Sequence, residues 1–269
     1  MTQKTKRRAL GQHFLKSRTV LNRIVRCISP QIQDLIIEIG AGKGALTFPL
    51  AEKAGRVIAI EKDPHLIPFL EKRRFPNLTI LEEDVLRVNF HELVKKESFR
   101  GSVKLVGNLP YSLSSPLLQK VLEEKELISE CVFLLQKEMA ERMCGQPGSK
   151  SYAPMSILFQ NHFLIALRFT VGPDCFSPPP KVDSALISLQ KRSQPLFFIE
   201  NEDLFRDFLK GSFKHRRKIL RKNLEKLSIP LSAIEKAYQK FSIERNIRPE
   251  QLPISQFVEL FRLLFINVL

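Results

Sequence analysis

Leu35-Ile-Ile-Glu-Ile-Gly-Ala-Gly-Lys-Gly44 is the stretch that decides the fold. Its apolar first half reads as a buried strand, and it runs directly into three glycines at alternate positions, with a helical stretch beginning at Leu46. Strand, glycine loop and helix in that order are the opening unit of a nucleotide-binding α/β sheet. The glycines let backbone N–H groups approach a ligand closely, and the helix start favours an anionic group such as a carboxylate. Working outward, a second strand at Arg56-Val-Ile-Ala-Ile60 ends at Glu61, about twenty residues beyond Gly40, where an acid reaches ribose hydroxyls. A third, Leu78-Thr-Ile-Leu81, runs into Glu82-Glu-Asp84, and an acid there can accept a hydrogen bond from an adenine amine. An isolated acidic turn is usually only solvated; the series with Gly40, Gly42 and Glu61 gives Asp84 its meaning. The spacing is GxGxG rather than GxGxxG and no GKS or GKT follows, which disfavours NAD and ATP.

The fourth strand, Val103 to Val106, delivers Gly107-Asn-Leu-Pro-Tyr111. Pro110 biases Leu109 towards an extended conformation, so Asn108 and Tyr111 sit on a rigid corner at the strand's end. The Asn108 carbonyl and the backbone carbonyls beside Pro110 are acceptors suited to an exocyclic amine, and Tyr111 can stack on a planar base. An ordinary helix-capping turn would use the same residue types; the neighbouring nucleotide site favours the base-holding reading. Pro116 is expected to open the next helix, and a fifth strand, Cys131 to Leu135, leads into a helix at Gln136 to Arg142. A loop at Gly145 to Lys150, a helix at Pro154 to Asn161 and a strand at Ala166 to Val171 come next. Phe176-Ser-Pro-Pro-Pro-Lys181 reads as a stiff polyproline-like segment before a last strand, Ser184 to Leu189, and offers Phe176 as a second stacking ring opposite Tyr111.

At 269 residues with 43% hydrophobic content, the chain is long enough for one large domain and one small one. A formal net charge of +15 points to a polyanionic partner, nucleic acid before an acidic membrane surface. Cys27, Cys131, Cys144 and Cys175 are scattered, supporting neither a zinc ribbon nor a disulfide framework, so no metal is expected. No run of eighteen apolar residues occurs and the basic start has no apolar continuation; a cytoplasmic protein is the expectation. Residues 1–9 read as a basic tail, interrupted by Gly11-Gln-His-Phe-Leu15, whose Phe14 and Leu15 should dock on the body. From about Gln194 the chain turns to helices rich in Phe, Leu, Lys and Arg. Phe205, Leu209, Phe213, Leu220, Leu224 and Leu227 share one helical face, with Lys210, Lys214, Arg217 and Arg221 on another as a phosphate-binding stripe.

Read together, these motifs resemble the rRNA adenine N6,N6-dimethyltransferases of the small-subunit type. The resemblance runs nearly end to end: GQHFL at Gly11 to Leu15, EIGAGKGALT at Glu38 to Thr47, EKD at Glu61 to Asp63, EDV at Glu83 to Val85, NLPY at Asn108 to Tyr111, QKE at Gln136 to Glu138, FSPPPKVDSA at Phe176 to Ala185 and FKHRRKILRKNL at Phe213 to Leu224. The glycine loop marks a large class, whereas NLPY with FSPPPKV is far more specific. The resemblance implies an α/β Class I methyltransferase fold, Rossmann-like, with a mostly parallel seven-stranded sheet over residues 1–193 and a small helical RNA-binding domain over 194–269. It implies S-adenosylmethionine as cofactor, contacted by His13, Leu15, Gly40, Gly42, Glu61, Asp84 and Asn108. Asn108, Leu109, Pro110, Tyr111 and Phe176 would hold the target base. Many relatives carry Asn at the position of His13. The implied substrate is a pair of neighbouring adenosines near the 3′ end of small-subunit rRNA, in a pre-ribosomal particle, with the enzyme a monomer. The same fold also serves a large-subunit rRNA methyltransferase conferring antibiotic resistance, or a non-catalytic ribosome assembly factor.

Overall fold

The computed structural model describes residues 12–99 and 101–266. The basic tail at 1–9 and Gly11 lie outside them. Nine strands are described: β1 Phe14–Leu15, β2 Asp34–Ile39, β3 Arg56–Glu61, β4 Leu78–Glu82, β5 Ser102–Asn108, β6 Glu130–Gln136, β7 Phe163–Val171, β8 Phe176–Ser177 and β9 Ser184–Lys191. Seven form one sheet in the order β4-β3-β2-β5-β6-β9-β7. The five strands from β4 to β6 are parallel, and β9 runs antiparallel to β6, with Phe133 opposite Ile187. This is the mostly parallel seven-stranded sheet that the family resemblance implies. All six residues of β2 are buried, as a strand covered on both faces by helices must be. Chain order reverses beside β2, with β3 on one side and β5 on the other, which opens a crevice at the strands' carboxyl ends.

Two polar features of the sheet were hidden in the sequence. Lys104, only 8% exposed in the middle of β5, pairs with Asp34 at 2.9 Å and Glu130 at 3.5 Å and donates to the carbonyls of Ile28 and Ser29. Such a buried cation is tolerated only because every proton finds an acceptor; removing it would strand Asp34 at a cost of roughly 3–5 kcal/mol. Glu38, in β2, is the second, and it belongs to the site.

Pro116 does not open a helix. The helix spans Tyr111–Glu123 with Pro110 as its N-cap, and Pro116 sits inside it on the exposed side. The N–H that proline lacks would have served the carbonyl of Ser112, which is exposed, so water can replace it. The proline-rich segment is also not a continuous polyproline helix. Phe176–Ser177 pair antiparallel with Phe14–Leu15 in a two-stranded ribbon, and the Ser177–Pro178 bond is cis.

The chain divides into two compact units. The first runs to Ala140 and resumes over Leu164–Lys191, and the second takes Glu141–Phe163 together with the chain from Arg192 onward. The helix Pro154–His162 therefore groups with the C-terminal helices, because Tyr152 and Ile157 are fully buried in their core. That core is aromatic: Phe205 and Phe261 meet edge to face with centroids 5.1 Å apart, and Phe213 stacks on Phe257 at 5.5 Å. Each such ring, fully buried, contributes roughly 1.5–3 kcal/mol before ring-geometry effects.

The basic stripe on a single helix is not what forms. The helix Glu202–Ser212 stops at Phe213, residues 214–218 make turns, and a short helix resumes at Leu220–Leu224. Lys214-His-Arg-Arg-Lys218 offers no apolar side chain to bury and repels itself, so helical pairing there gains little. Side chains hold the turn instead. Asn223 accepts the His215 N–H at 3.1 Å and donates to its carbonyl at 3.3 Å, and Arg216 donates to the carbonyls of Lys150 and Tyr152 at 2.6 and 3.1 Å.

Candidate active site

The crevice beside β2 is built from strand ends and the loops they feed. Gly40 and Ala41 donate to the Ile60 carbonyl at 2.9 and 3.2 Å, fastening the glycine loop to β3. Gly42 has φ +62°, and a Cβ there would lie 3.3 Å from the Phe14 ring, so a side chain would be strained by the backbone and crowded by its neighbour. Its N–H donates to Glu61 Oε2 at 2.8 Å, while Glu61 Oε1 accepts the Asp63 N–H at 2.9 Å. Glu61 is 4% exposed, and burial raises its pKa against those two hydrogen bonds. Asp84 lies nearby at the end of β4. Lys62 reaches it at 2.6 Å and holds its carboxyl below the usual range, and its other oxygen accepts the Leu86 N–H at 3.1 Å.

Two cavities share this crevice. The larger, about 200 Å³, is walled by Ile39, Ile60, Val85, Leu86 and Leu113, with Glu61 and Asp84 at its polar edge. The smaller, about 70 Å³, is lined by Gln12, His13, Phe14, Gly40, Gly42, Glu61, Asn108, Leu109, Pro110, Tyr111 and Phe176. Gly40, Glu61 and Pro110 border both, so a ligand seated in the first presents its end to the second.

At the β5 corner, Asn108 Nδ2 donates to the His13 carbonyl at 2.8 Å. That bond orients the amide and leaves Oδ1 as an acceptor aimed away from it. The Pro110 carbonyl is less available than the sequence implies, because it accepts the Leu113 N–H at 2.9 Å and the Ser114 hydroxyl at 3.4 Å as the helix begins. Tyr111 bonds Ser184 through its hydroxyl at 3.1 Å and faces the His13 ring, centroids 5.7 Å apart and tilted by 37°. His13 Nδ1 lies 2.8 Å from the Pro178 carbonyl.

The structure thus brings His13, Gly40, Gly42, Glu61, Asn108, Leu109, Pro110, Tyr111 and Phe176 around one cavity, and places Asp84 on the other. Leu15 does not line either; it is 8% exposed and packs in the core opposite Phe176 across the ribbon. Phe176 walls the small cavity but is only 1% exposed and belongs to the same core, so it is less open to a base than Tyr111. Lys210, Lys214 and Arg217 are exposed in the second unit, with Lys210 tied to Asp207 at 3.4 Å. Arg221 is not a free cation: it bridges Glu225 at 3.1 Å and Glu235 at 2.9 Å.

Sequence reasoning passed over Glu38. It is 2% exposed, its Oε2 has no hydrogen-bond partner, and burial, opposed by the Thr47 hydroxyl and assisted by Glu61, pushes its carboxyl up to about 8. The available signal was an acid inside an otherwise apolar strand. Among the described residues no group of three or more His, Cys, Asp or Glu has a metal-holding arrangement.

Comparison with known proteins fits this geometry. The family described as ribosomal RNA adenine dimethylase matches residues 3–265. The chain belongs to that family. A relative from Xylella fastidiosa named ribosomal RNA small subunit methyltransferase A is 40% identical over 94% of this chain and 94% of its own. Another of that name from Geobacter sulfurreducens is 39% identical over 94% of this chain and 93% of its own. Among solved structures, a dimethyladenosine transferase from Plasmodium falciparum superposes with a TM-score of 0.79 at 25% identity, covering 93% of this chain and 96% of that one. The sheet is accordingly that of a Class I methyltransferase.

Proposed function

We propose that this chain dimethylates adenine N6 in small-subunit rRNA, with S-adenosylmethionine as methyl donor, at two neighbouring adenosines near the 3′ end. The single observation that carries the reading is Asn108: it lines the small cavity, and its Nδ2 is engaged by the His13 carbonyl, which leaves Oδ1 as the acceptor for an amine. Relatives named for the small subunit, at about 40% identity, favour this substrate over large-subunit rRNA, and retention of Asn108, Tyr111, Glu61 and Asp84 favours an enzyme over a non-catalytic assembly factor.

The residues present fit the cofactor. The apolar cavity with Asp84 at its rim suits an adenine, Glu61 suits the ribose, and the side-chain-free surface at Gly40 and Gly42 gives backbone room beside it. S-adenosylmethionine, when bound, supplies an electrophilic sulfonium methyl, so the protein's task is alignment rather than strong base catalysis. Asn108 Oδ1 and the Leu109 carbonyl would accept hydrogen bonds from the two N6 N–H groups. Their pull returns lone-pair density to the nitrogen and aims it into the crevice. Pro110 fixes the corner and Tyr111 stacks on the base, with Phe176 as the floor. Drawing the base from its stack costs a few kcal/mol, and an aromatic contact returns ~1–3 kcal/mol. His13, through its carbonyl, holds Asn108 in register; once the first methylated nitrogen has lost its surplus proton to water, the secondary amine keeps one N–H to donate to the same acceptors.

We place the enzyme in the cytoplasm as a monomer acting on a pre-ribosomal particle. No helix among the described residues is long and apolar enough to cross a membrane. Lys210, Lys214 and Arg217 would meet phosphates. The test is nucleoside mass spectrometry of small subunits lacking the mark, incubated with the protein and S-adenosylmethionine. N6,N6-dimethyladenosine in their rRNA is the expected result; unmodified rRNA with intact cofactor binding would overturn it.

A further inference from the structure

On the first unit, an aromatic and cationic ladder borders the small cavity. Phe14, a wall of that cavity, lies 5.4 Å by ring centroid from the Lys43 ammonium. The same ammonium is 5.2 Å from the Phe69 centroid, and Lys72 approaches Phe69 at 4.9 Å. Two cations therefore share one phenyl ring. Neither has a carboxylate partner within ion-pair distance among the described residues, in contrast to Lys62, which Asp84 neutralises. Lys43 and Lys72 are exposed, while both rings are half-buried on fixed backbone: Phe14 in the β1–β8 ribbon, and Phe69 in a turn whose N–H donates to the Leu66 carbonyl at 3.0 Å.

Two neighbouring ammoniums without counter-charge repel each other across a ring that can attract only weakly at an exposed site. An anion between them relieves this, and flat apolar faces beside it suit unstacked bases. Alternating cations and ring faces are the grammar of single-stranded nucleic acid binding. We propose that Phe14, Lys43, Phe69 and Lys72 form a track for the single-stranded RNA flanking the target adenine, threading it from the rim of the glycine loop into the cavity at Asn108. This rests on the function proposed above and deepens it: the substrate would be an unpaired strand, gripped at the catalytic mouth as well as by the second unit.

The experiment compares the full-length protein with Lys43→Gln/Lys72→Gln and with Phe69→Leu. Binding of a fluorescein-labelled oligoadenylate is measured across a salt series, cofactor affinity by calorimetry, folding by melting temperature. Removal of two phosphate contacts should flatten the log–log salt slope by about 1.4 and weaken binding on the order of tenfold at low salt. Phe69→Leu should weaken binding without changing the slope. Unchanged affinity and slope in a folded double variant would overturn the proposal. So would a loss confined to S-adenosylmethionine affinity, which would assign the lysines to the cofactor carboxylate. Failure of the unaltered protein to form dimethyladenosine would count against the enzymatic reading instead, since the binding comparison does not depend on turnover.

Discussion

The side-chain amide of Asn108 donates to the main-chain carbonyl of His13 across 2.8 Å, joining the end of β5 to a segment 95 residues earlier. The residue proposed to meet the reacting amine is thereby oriented by the segment that leads into β1.

Asn108→Ala should lower single-turnover methyl transfer by about 10²-fold or more, since an acceptor at the reacting nitrogen is lost. Affinity for RNA should stay within a few-fold. Asn108→Asp should fail as well, because a carboxylate cannot donate to His13 and loses its register. Normal turnover in either variant, assayed with methyl-labelled cofactor, would remove Asn108 from the chemistry.

Gly42→Ala places a Cβ at φ +62° and 3.3 Å from Phe14. Strain of roughly 1–3 kcal/mol should fall on the loop, appearing as a lower melting temperature and weaker S-adenosylmethionine binding in calorimetry.

Glu38 gives a pH signature. Its folded pKa, about 8, lies above the ordinary 4.5, so the native state binds the extra proton between these values. Its contribution is complete below 4.5 and is lost as pH rises through 8; Glu61, also raised by burial, acts in the same direction. Melting temperature should fall from pH 6 to pH 9, and Glu38→Gln, neutral throughout, should flatten that fall. An unchanged profile in the variant would show that the Glu38 carboxyl is ionised in the native protein.

Arg217 and Arg221 should separate in their effects although the sequence groups them. Arg217→Glu should weaken RNA binding and reduce its salt dependence with no change in melting temperature, because Arg217 is exposed. Arg221→Glu breaks ion pairs to Glu225 and Glu235 and should first lower the melting temperature. Thermal melts beside filter binding distinguish the two.

The ion pairs of Arg221 are invisible in the sequence. Spacing reports which face a residue shares, but not which distant acid has already taken its charge; Glu235 lies on the next helix, Leu231–Lys240. The β2–glycine–helix unit, the acids at Glu61 and Asp84 and the Asn108 corner were legible because each rests on local patterning and strand order. Pro116 misled because its local rule ignores solvent, which relieves the carbonyl it leaves unpaired. The break at 214–218 depends on Asn223 and Arg216 reaching across chain distance. Membership of Glu141–Phe163 in the second unit rests on Tyr152 and Ile157 finding that unit's aromatic core, which no window of sequence displays.

The ribbon of Phe14–Leu15 with Phe176–Ser177 adds nothing to the seven-stranded sheet, yet it carries Phe14 and the His13 carbonyl to the cavity. Unseating this arm would uncover Leu15 and Phe176 of the core and withdraw the His13 carbonyl from Asn108, so melting temperature and methyl transfer should fall together. For anyone preparing the protein, a tag near the amino terminus is therefore a perturbation of the catalytic corner, although 95 residues separate His13 from Asn108.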